Sequence, residues 1–393
     1  MSAWQTKQLA EVATIERSAL QPSQIKSGTT YVGLEHIESG GAFLDPKPVD
    51  VGTLASSKFQ FTDRHVLYGK LRPYLAKIAC PNFSGICSTD ILPILPGLKL
   101  ERRFLYHYLR QPLMVDYANS RAVGVNLPRL SPSVLAKIEI PLPPLAEQRR
   151  IAAVLDLAEA LRAKRRASLA QLDALTQAIF FDMFGDAGDN PKRWPVKPVH
   201  AYVADFQGGK SIAEESGENV LTKNRVLKVS AVTGMKFRPN ESKPVSDSYE
   251  PPIEHFVRPD DLLFSRANTT ELVGAVAYVE HTPPNVLLPD KIWRFVWRKP
   301  VIVEPLFVWT LFQTIALRRE IGRRATGTSG SMKNISQEKV FGISTILPPL
   351  ALQREFARRV STVDKLKAAH RTSLAEMDTL FASLQHRAFR GEL

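Results

Sequence analysis

Two stretches of the chain carry apolar residues at alternating spacings of four and three. In the first, Ile151, Leu155 and Ala158 are followed by Leu169, Leu172 and Ile179; in the second, Phe356, Val360 and Val363 are followed by Leu374, Met377, Phe381 and Leu384. Neither Pro nor Gly falls between Ala146 and Met183, or between Ala351 and Phe389, and strong helix formers dominate both stretches. The pattern predicts two long helices with a coiled-coil seam. Both seams are interrupted at matching places, by Arg162 and Arg165 in one and by Lys367 and His370 in the other. Polar seam residues can fix register, so the shared interruption predicts that the helices pair with each other. The alternative is two separate amphipathic helices, each packed on its own domain.

Upstream of each helix the pattern changes to short β-rich runs between turn-rich polar stretches. Tyr31-Val32-Gly33-Leu34, Ala275-Val276-Ala277-Tyr278-Val279 and Trp293-Arg294-Phe295-Val296-Trp297 read as strands, and 104–117 and 306–321 as helical approaches. Both regions therefore predict an α+β fold. Asp186-Ala187-Gly188-Asp189-Asn190-Pro191 is rich in turn residues and marks a boundary between two halves.

The halves are related. Pro143-Pro144-Leu145-Ala146-Glu147-Gln148-Arg149 returns as Pro348-Pro349-Leu350-Ala351-Leu352-Gln353-Arg354, an offset of 205 (143 to 348). The same offset maps Ser168-Leu169-Ala170 onto Ser373-Leu374-Ala375 and Phe184 onto Phe389, and over 143–184 it leaves 16 of 42 positions identical. Chance gives about one in sixteen, so the chain is read as a divergent duplication. Ser131 maps to Ser336 and Ile138 to Ile343; with a two-residue shift, Arg121-Ala122-Val123-Gly124 maps to Arg324-Ala325-Thr326-Gly327.

Composition adds a partner class. The chain has 393 residues, 44% hydrophobic and 23% charged, with 52 Lys+Arg against 39 Asp+Glu and a net charge of +13. That describes a folded protein of two or three domains whose excess charge favours a polyanion, most simply nucleic acid. An apolar run long enough to span a membrane is missing, as is the layout of a signal peptide at Met1-Ser2-Ala3-Trp4. Cys80 and Cys87 are too few for a disulfide framework or zinc knuckle and fit a reducing cytoplasm.

Reactive constellations are harder to find. The eight histidines are scattered, without the spacing of a metal site. Gly208-Gly209-Lys210-Ser211 approaches a phosphate loop, but the first glycine of that motif is missing and an acidic segment follows instead of a helix start. Glu241-Ser242-Lys243 precedes Asp260 and Asp290, the reverse of a nuclease order, and the Pro-Pro-aromatic tetrad with which a DNA methyltransferase grips a flipped base is not found. The residues describe a binder.

At this point the chain closely resembles, over nearly its whole length, the specificity subunits of type I restriction-modification systems. The resemblance is carried by Ile140-Pro141-Leu142-Pro143-Pro144-Leu145-Ala146-Glu147-Gln148, its repeat from Ile346 to Gln353, and the terminus Ala388-Phe389-Arg390-Gly391-Glu392-Leu393. Val66-Leu67-Tyr68-Gly69-Lys70-Leu71-Arg72-Pro73-Tyr74, Gly85-Ile86-Cys87-Ser88-Thr89-Asp90 and Asp261-Leu262-Leu263-Phe264-Ser265-Arg266-Ala267-Asn268 add to it. Leu352 departs from the pattern, since the first copy has Glu147 there.

The resemblance implies two target-recognition domains, 1–142 and 190–347, and two antiparallel helical spacers, 143–185 and 348–393. It implies a subunit without catalysis or cofactor of its own that binds double-stranded DNA at a split, asymmetric site. Two methyltransferase subunits and the restriction subunits, users of S-adenosylmethionine, ATP and Mg, would assemble on it in the cytoplasm. An autonomous DNA-binding regulator or an anti-restriction protein is the alternative, and a DNA enzyme a third. A helix of about 37 residues is about 55 Å long, the span of roughly 16 base pairs, which suits two separated half-sites.

Phosphate contacts need Lys, Arg and hydroxyls, and base readout needs forked donors. On that chemistry the candidates are Lys70, Arg72, Tyr74, Arg121, Asn126 and Arg129 in the first half. In the second they are Lys210, Ser211, Ser265, Arg266, Asn268, Arg324, Ser331, Lys333 and Asn334. For Ser265 to Asn268 an ordinary solvated hairpin end is the competing reading, and for Lys70 and Arg72 the pinning of a local carboxylate.

Overall fold

A computed structural model of the chain describes residues 4–212, 222–329 and 332–393. Ser331 lies outside the described residues. Two helices dominate, Leu145–Phe184 and Leu350–Ala388, as the seam pattern predicts. Contacts divide the chain into two compact units, Met1–Ser168 with His370–Leu393, and Leu169–Ala369. The division runs through the helices rather than through the turn at Asp186, because each helix ends in a different core from the one in which it starts.

In the first unit a four-stranded antiparallel sheet has the spatial order Ala13–Ile15, Ile91–Pro96, Val66–Gly69, Ile78–Ala79. Its apolar face packs on helix Arg102–Arg110, whose Phe104, Leu105 and Leu109 are buried with Ile151 and Leu155 of the first long helix. From the second long helix, Ala388 is buried and Phe389 sets its ring 5.2 Å from both Phe104 and Tyr108. A second sheet contains the parallel pair Tyr31↔Ile86.

The second unit repeats this plan. Its sheet has the order Val203–Gly208, Ile292–Trp297, Leu262–Ser265, Val276–Tyr278, position for position the same arrangement. A smaller sheet again carries a parallel pair, Arg225↔Val286. Phe307 of helix Pro305–Gln313 takes the place of Phe104, and Phe184 packs edge-on against it at 4.9 Å, the counterpart of Phe389 on Phe104. Phe356 and Val360 fill the places of Ile151 and Leu155.

Each helical approach read from the sequence is two helices. In the first unit Pro112 starts a new helix, Pro112–Ser120, and pushes Gln111 to an extended ψ of 146°. In the second, Thr314 ends one helix and caps the next, Ile315–Arg324, with its hydroxyl accepting from the Leu317 amide.

The two long helices run antiparallel within each unit, and the seam interruptions are where they are tied. In the first unit Arg162 Nε donates to Asp378 Oδ1 at 2.6 Å and Arg165 Nη1 lies 3.2 Å from His370 Nδ1. In the second, Lys367 reaches Asp173 at 3.4 Å, and Phe180 packs edge-on against Phe356.

The repeated Pro-Pro-Leu-Ala-x-Gln motif has a shared structural task. Gln148 is buried; its Nε2 donates to the carbonyls of Pro143 (2.8 Å) and Lys99 (3.0 Å), and its Oε1 accepts the amide of Glu101 (2.8 Å). Gln353, equally buried, donates to Pro348 (2.7 Å) and Ile302 (3.4 Å) and accepts from Glu304 (2.9 Å). An amide side chain is neutral and offers two donors beside an acceptor, which is what these three bonds use. Each glutamine latches the start of a long helix to the start of the helix that packs on the sheet. Ser131 and Ser336 likewise both cap short helices, accepting from the amides of Val134 and Lys339.

Candidate nucleic-acid interface

Where strand Val66–Gly69 leaves the sheet, its continuation pairs with a second, distant segment. Leu130 N donates to Lys70 O at 2.9 Å, Leu71 bridges Arg129, and Arg72 N donates to Pro128 O at 2.7 Å. Val123 closes a third edge by exchanging both backbone bonds with Arg129. The result is a short three-stranded ribbon holding all six candidates of the first half on it or at its margins.

The second unit builds the same ribbon from Ala267–Asn268, Met332–Asn334 and Thr326–Ser329, in that spatial order with the middle segment shared. Ile335 N donates to Arg266 O at 3.0 Å, the counterpart of the Leu130–Lys70 bond. Gly124 (φ 119°) and Gly327 (φ 150°) turn the two tips, and a Cβ on Gly327 would stand 2.3 Å from the Met332 carbonyl. The alignment of Gly124 with Gly327 thus has a backbone cause.

Each ribbon pairs an arginine with one aspartate, and the first adds a lysine. Asp90 Oδ1 accepts from Arg129 Nε at 3.2 Å and lies 3.8 Å from Lys70 Nζ. Asp290 Oδ2 lies 3.5 Å from Arg266, whose Nε also donates to the Asp290 carbonyl at 2.8 Å. Arg72 is exposed in a left-handed conformation (φ 51°), Tyr74 is half exposed on the turn that follows, and Arg121 stacks over the Tyr117 ring at 3.7 Å. The exposed Asn126 accepts through its backbone carbonyl from Arg72. Lys333 donates to Gly327 O at 2.7 Å, and Asn268 Nδ2 to Thr233 Oγ1 at 3.3 Å. Asn334 pairs through its backbone with both neighbouring segments.

Two candidates have their side chains engaged within the unit. Ser265 is fully buried, its hydroxyl donating to the Ala267 carbonyl, because it ends the strand on the core side. Arg324 is committed inside its unit, with Nε on Glu320 Oε1 at 2.6 Å and Nη1 on the Lys339 carbonyl.

Lys210 and Ser211 stand apart from the ribbon but near it. Ser211 lines a cleft with Lys228, Lys243, Asp290 and Lys291, and Asp290 is the ribbon's own aspartate. These three lysines escaped the sequence reading because they lie on separate strands and loops. Gly209 is required by packing: a Cβ there would come within 1.8 Å of the Leu288 carbonyl. Its amide donates to Pro289 O at 3.0 Å, so the glycine pair is where a strand end passes another segment.

One further cluster belongs to the first unit's interior. His107, Asp156 and Glu159 place potential ligand atoms within 4.8 Å of one another. Guanidinium groups already engage both carboxylates: Arg103 Nε donates to Asp156 at 3.0 and 3.1 Å, and Arg110 Nη1 to Glu159 at 2.8 Å. Partial burial raises the Asp156 pKa, but hydrogen bonds from His107 and Arg103 outweigh it and hold the carboxyl at about 2. The arrangement fits an ion-pair network tying helix Arg102–Arg110 to the first long helix.

Residues 1–171 match the family described as the type I restriction modification DNA specificity domain. The chain is 27% identical over 309 residues to the EcoKI specificity subunit of Escherichia coli K12, covering 74% of this chain and 65% of that protein. The chain thus resembles type I restriction specificity subunits. The EcoDI specificity subunit of Escherichia coli is 28% identical over 196 residues, 49% of this chain and 43% of that one, so the match spans less than two thirds of either relative. A solved structure from work on complex assembly and conformational transition of the type I R-M system covers 100% of this chain and 99% of its own, at 21% identity and a TM-score of 0.62. The type I S subunit of M. genitalium covers 98% and 96%, at 13% identity and a TM-score of 0.59. Both share the fold of this chain. Since the family match ends at residue 171, the repeated sheet order, glutamine latch and ribbon are what relate the second half to the first.

Proposed function

We propose that this chain is the DNA-reading subunit of a type I restriction-modification complex, binding duplex DNA at a bipartite, asymmetric site with one ribbon per half-site. The observation that carries this reading is the repetition, in two units of one chain, of the same three-stranded ribbon with an arginine paired to an aspartate. Duplex DNA offers phosphates to such cations on both sides of each groove. The ribbons differ in side chains, so their half-sites differ. The chain supplies recognition only, and two methyltransferase subunits and the restriction subunits bring S-adenosylmethionine, ATP and Mg chemistry to it in the cytoplasm. Among the described residues no helix is long and apolar enough to cross a membrane.

The test is to express the chain with its modification subunit and sequence the methylated DNA. A split methylated motif that disappears when this chain is omitted is expected. Methylation that persists without it, or base methylation by the isolated chain, overturns the reading. A four-residue insertion after Arg165, paired with one after His370, should lengthen the gap in the motif; those two residues face each other.

A further inference from the structure

The ribbon of the first unit ends in an apolar tip. Val123, Val125 and Leu127 are 81%, 99% and 45% exposed, although the surrounding segment is basic. The tip is not loose. Val123 makes both backbone bonds with Arg129, Gly124 sets the turn, and Arg72 reaches over to the Asn126 carbonyl. Fixing a surface valine in water gains nothing from burial, and so rigid apolar exposure inside a cationic collar points to a ligand that is negative at its edges and apolar within.

We infer that this tip is a base-reading contact: Val125, with Val123 beside it, packs against the 5-methyl group of a thymine in the DNA major groove. This rests on the reading of the chain as a DNA-recognition subunit. Valine has neither donor nor acceptor, so it can read only an apolar feature of a base edge, and the thymine methyl is the one that the major groove offers; the minor groove has none. Arg72, Arg121 and Arg129 around the tip match the phosphates flanking that groove. A preformed tip loses little conformational freedom on docking, so a small contact can still discriminate. The second unit differs here: Thr326 and Gly327 stand where Val123 and Gly124 stand in the first, and Met332 is an exposed apolar residue of its described part.

The assembled complex with its modification subunit is titrated with duplexes carrying the methylated site, each thymine replaced in turn by deoxyuridine, which removes only the methyl group. One thymine in the half-site of the first unit should be sensitive, with binding weakened about fourfold, the value of one buried methyl-sized group. The variant Val123→Ser with Val125→Ser should lose that sensitivity while keeping the salt dependence set by the phosphate contacts. A wild-type complex that separates cognate from scrambled DNA but is indifferent to every deoxyuridine overturns this inference and leaves the recognition reading standing. A complex that makes no such distinction overturns both. A serine variant that keeps the deoxyuridine response, or loses its modification subunit instead, places the tip against something other than a base.

Discussion

The two units are built to one plan but filled differently. Sheet order, glutamine latch, paired helices at a Pro or Thr break, and ribbon recur at matching positions. Their interiors do not. Where the first unit has His107 and Asp156 in an ion-pair network, the 203- and 205-residue offsets place Thr310 and Ser361, and beside them four phenylalanines, 180, 184, 307 and 356, pack ring on ring. The fold thus depends on the backbone bonds of the latch, while the filling is free to be charged or aromatic. Breaking what is shared should injure both units alike, and breaking what differs should injure one.

The shared latch carries the largest expected effect. Gln148→Leu leaves the Glu101 amide and the Pro143 and Lys99 carbonyls without their side-chain partner, and Gln353→Leu does the same around Glu304. Each should cost about 2–4 kcal/mol, read by urea unfolding. Equal losses support a common role, whereas a loss in one variant alone breaks the equivalence of the units.

Asp156→Asn should act on the first unit alone, at about 1–3 kcal/mol, because Arg103 and the buried His107 lose their charged partner. Four of the five tryptophans, Trp194, Trp293, Trp297 and Trp309, lie in the second unit. Hydrogen exchange in helix Arg102–Arg110 should therefore speed up while the tryptophan fluorescence transition stays in place. The pH dependence has a definite sign. The Asp156 carboxyl is lowered from 3.8 to about 2 on folding, so its stabilisation is complete above pH 3.8 and is lost as pH falls from there towards 2. The asparagine variant should lose that part of the acid limb, and an unchanged acid profile would remove Asp156 from the account.

Between the ribbons, Arg266→Ala and Arg129→Ala should each weaken cognate DNA binding by about 1–2 kcal/mol at fixed salt, since both guanidinium groups keep an aspartate partner when free. Ser265→Ala should leave DNA contacts unchanged, its hydroxyl being buried. A drop in affinity for Arg129→Ala only would mean that the two ribbons do not share a task.

The long helices and the duplication were legible because a seam is local and periodic and a repeat is written twice. The ribbons were legible only as chemistry. Lys70 and Arg129 are brought together by one- and two-residue pairings that leave no periodic signal, and nothing in the sequence marks Asp90 and Asp290 as partners of these cations. Ser265 was misplaced because a strand's last residue can face in or out, and the sequence does not say where the pleat ends. Gln148 and Gln353 did leave a signal, polar identity between copies that have otherwise diverged, but their partners at Lys99, Glu101, Ile302 and Glu304 come from outside the motif.

The smallest effect tests the one visible departure between the motif copies. Leu352 stands where the first copy has Glu147, and restoring the acid looks like a repair. In the first copy Glu147 serves Arg150, a surface pair with 2.7 Å between Nη2 and Oε1, and plays no part in the latch. In the second copy the residue at Arg150's place is Glu355, which pairs instead with Arg358 and Arg359. Leu352→Glu would gain from the positive helix start and lose to repulsion three residues away from Glu355, two terms of a few tenths of a kcal/mol and opposite sign. The variant should unfold within about 0.5 kcal/mol of the parent. A larger stabilisation would mean that the acid at this position does something in the first unit beyond holding Arg150, and the two helix starts would then not be equivalent.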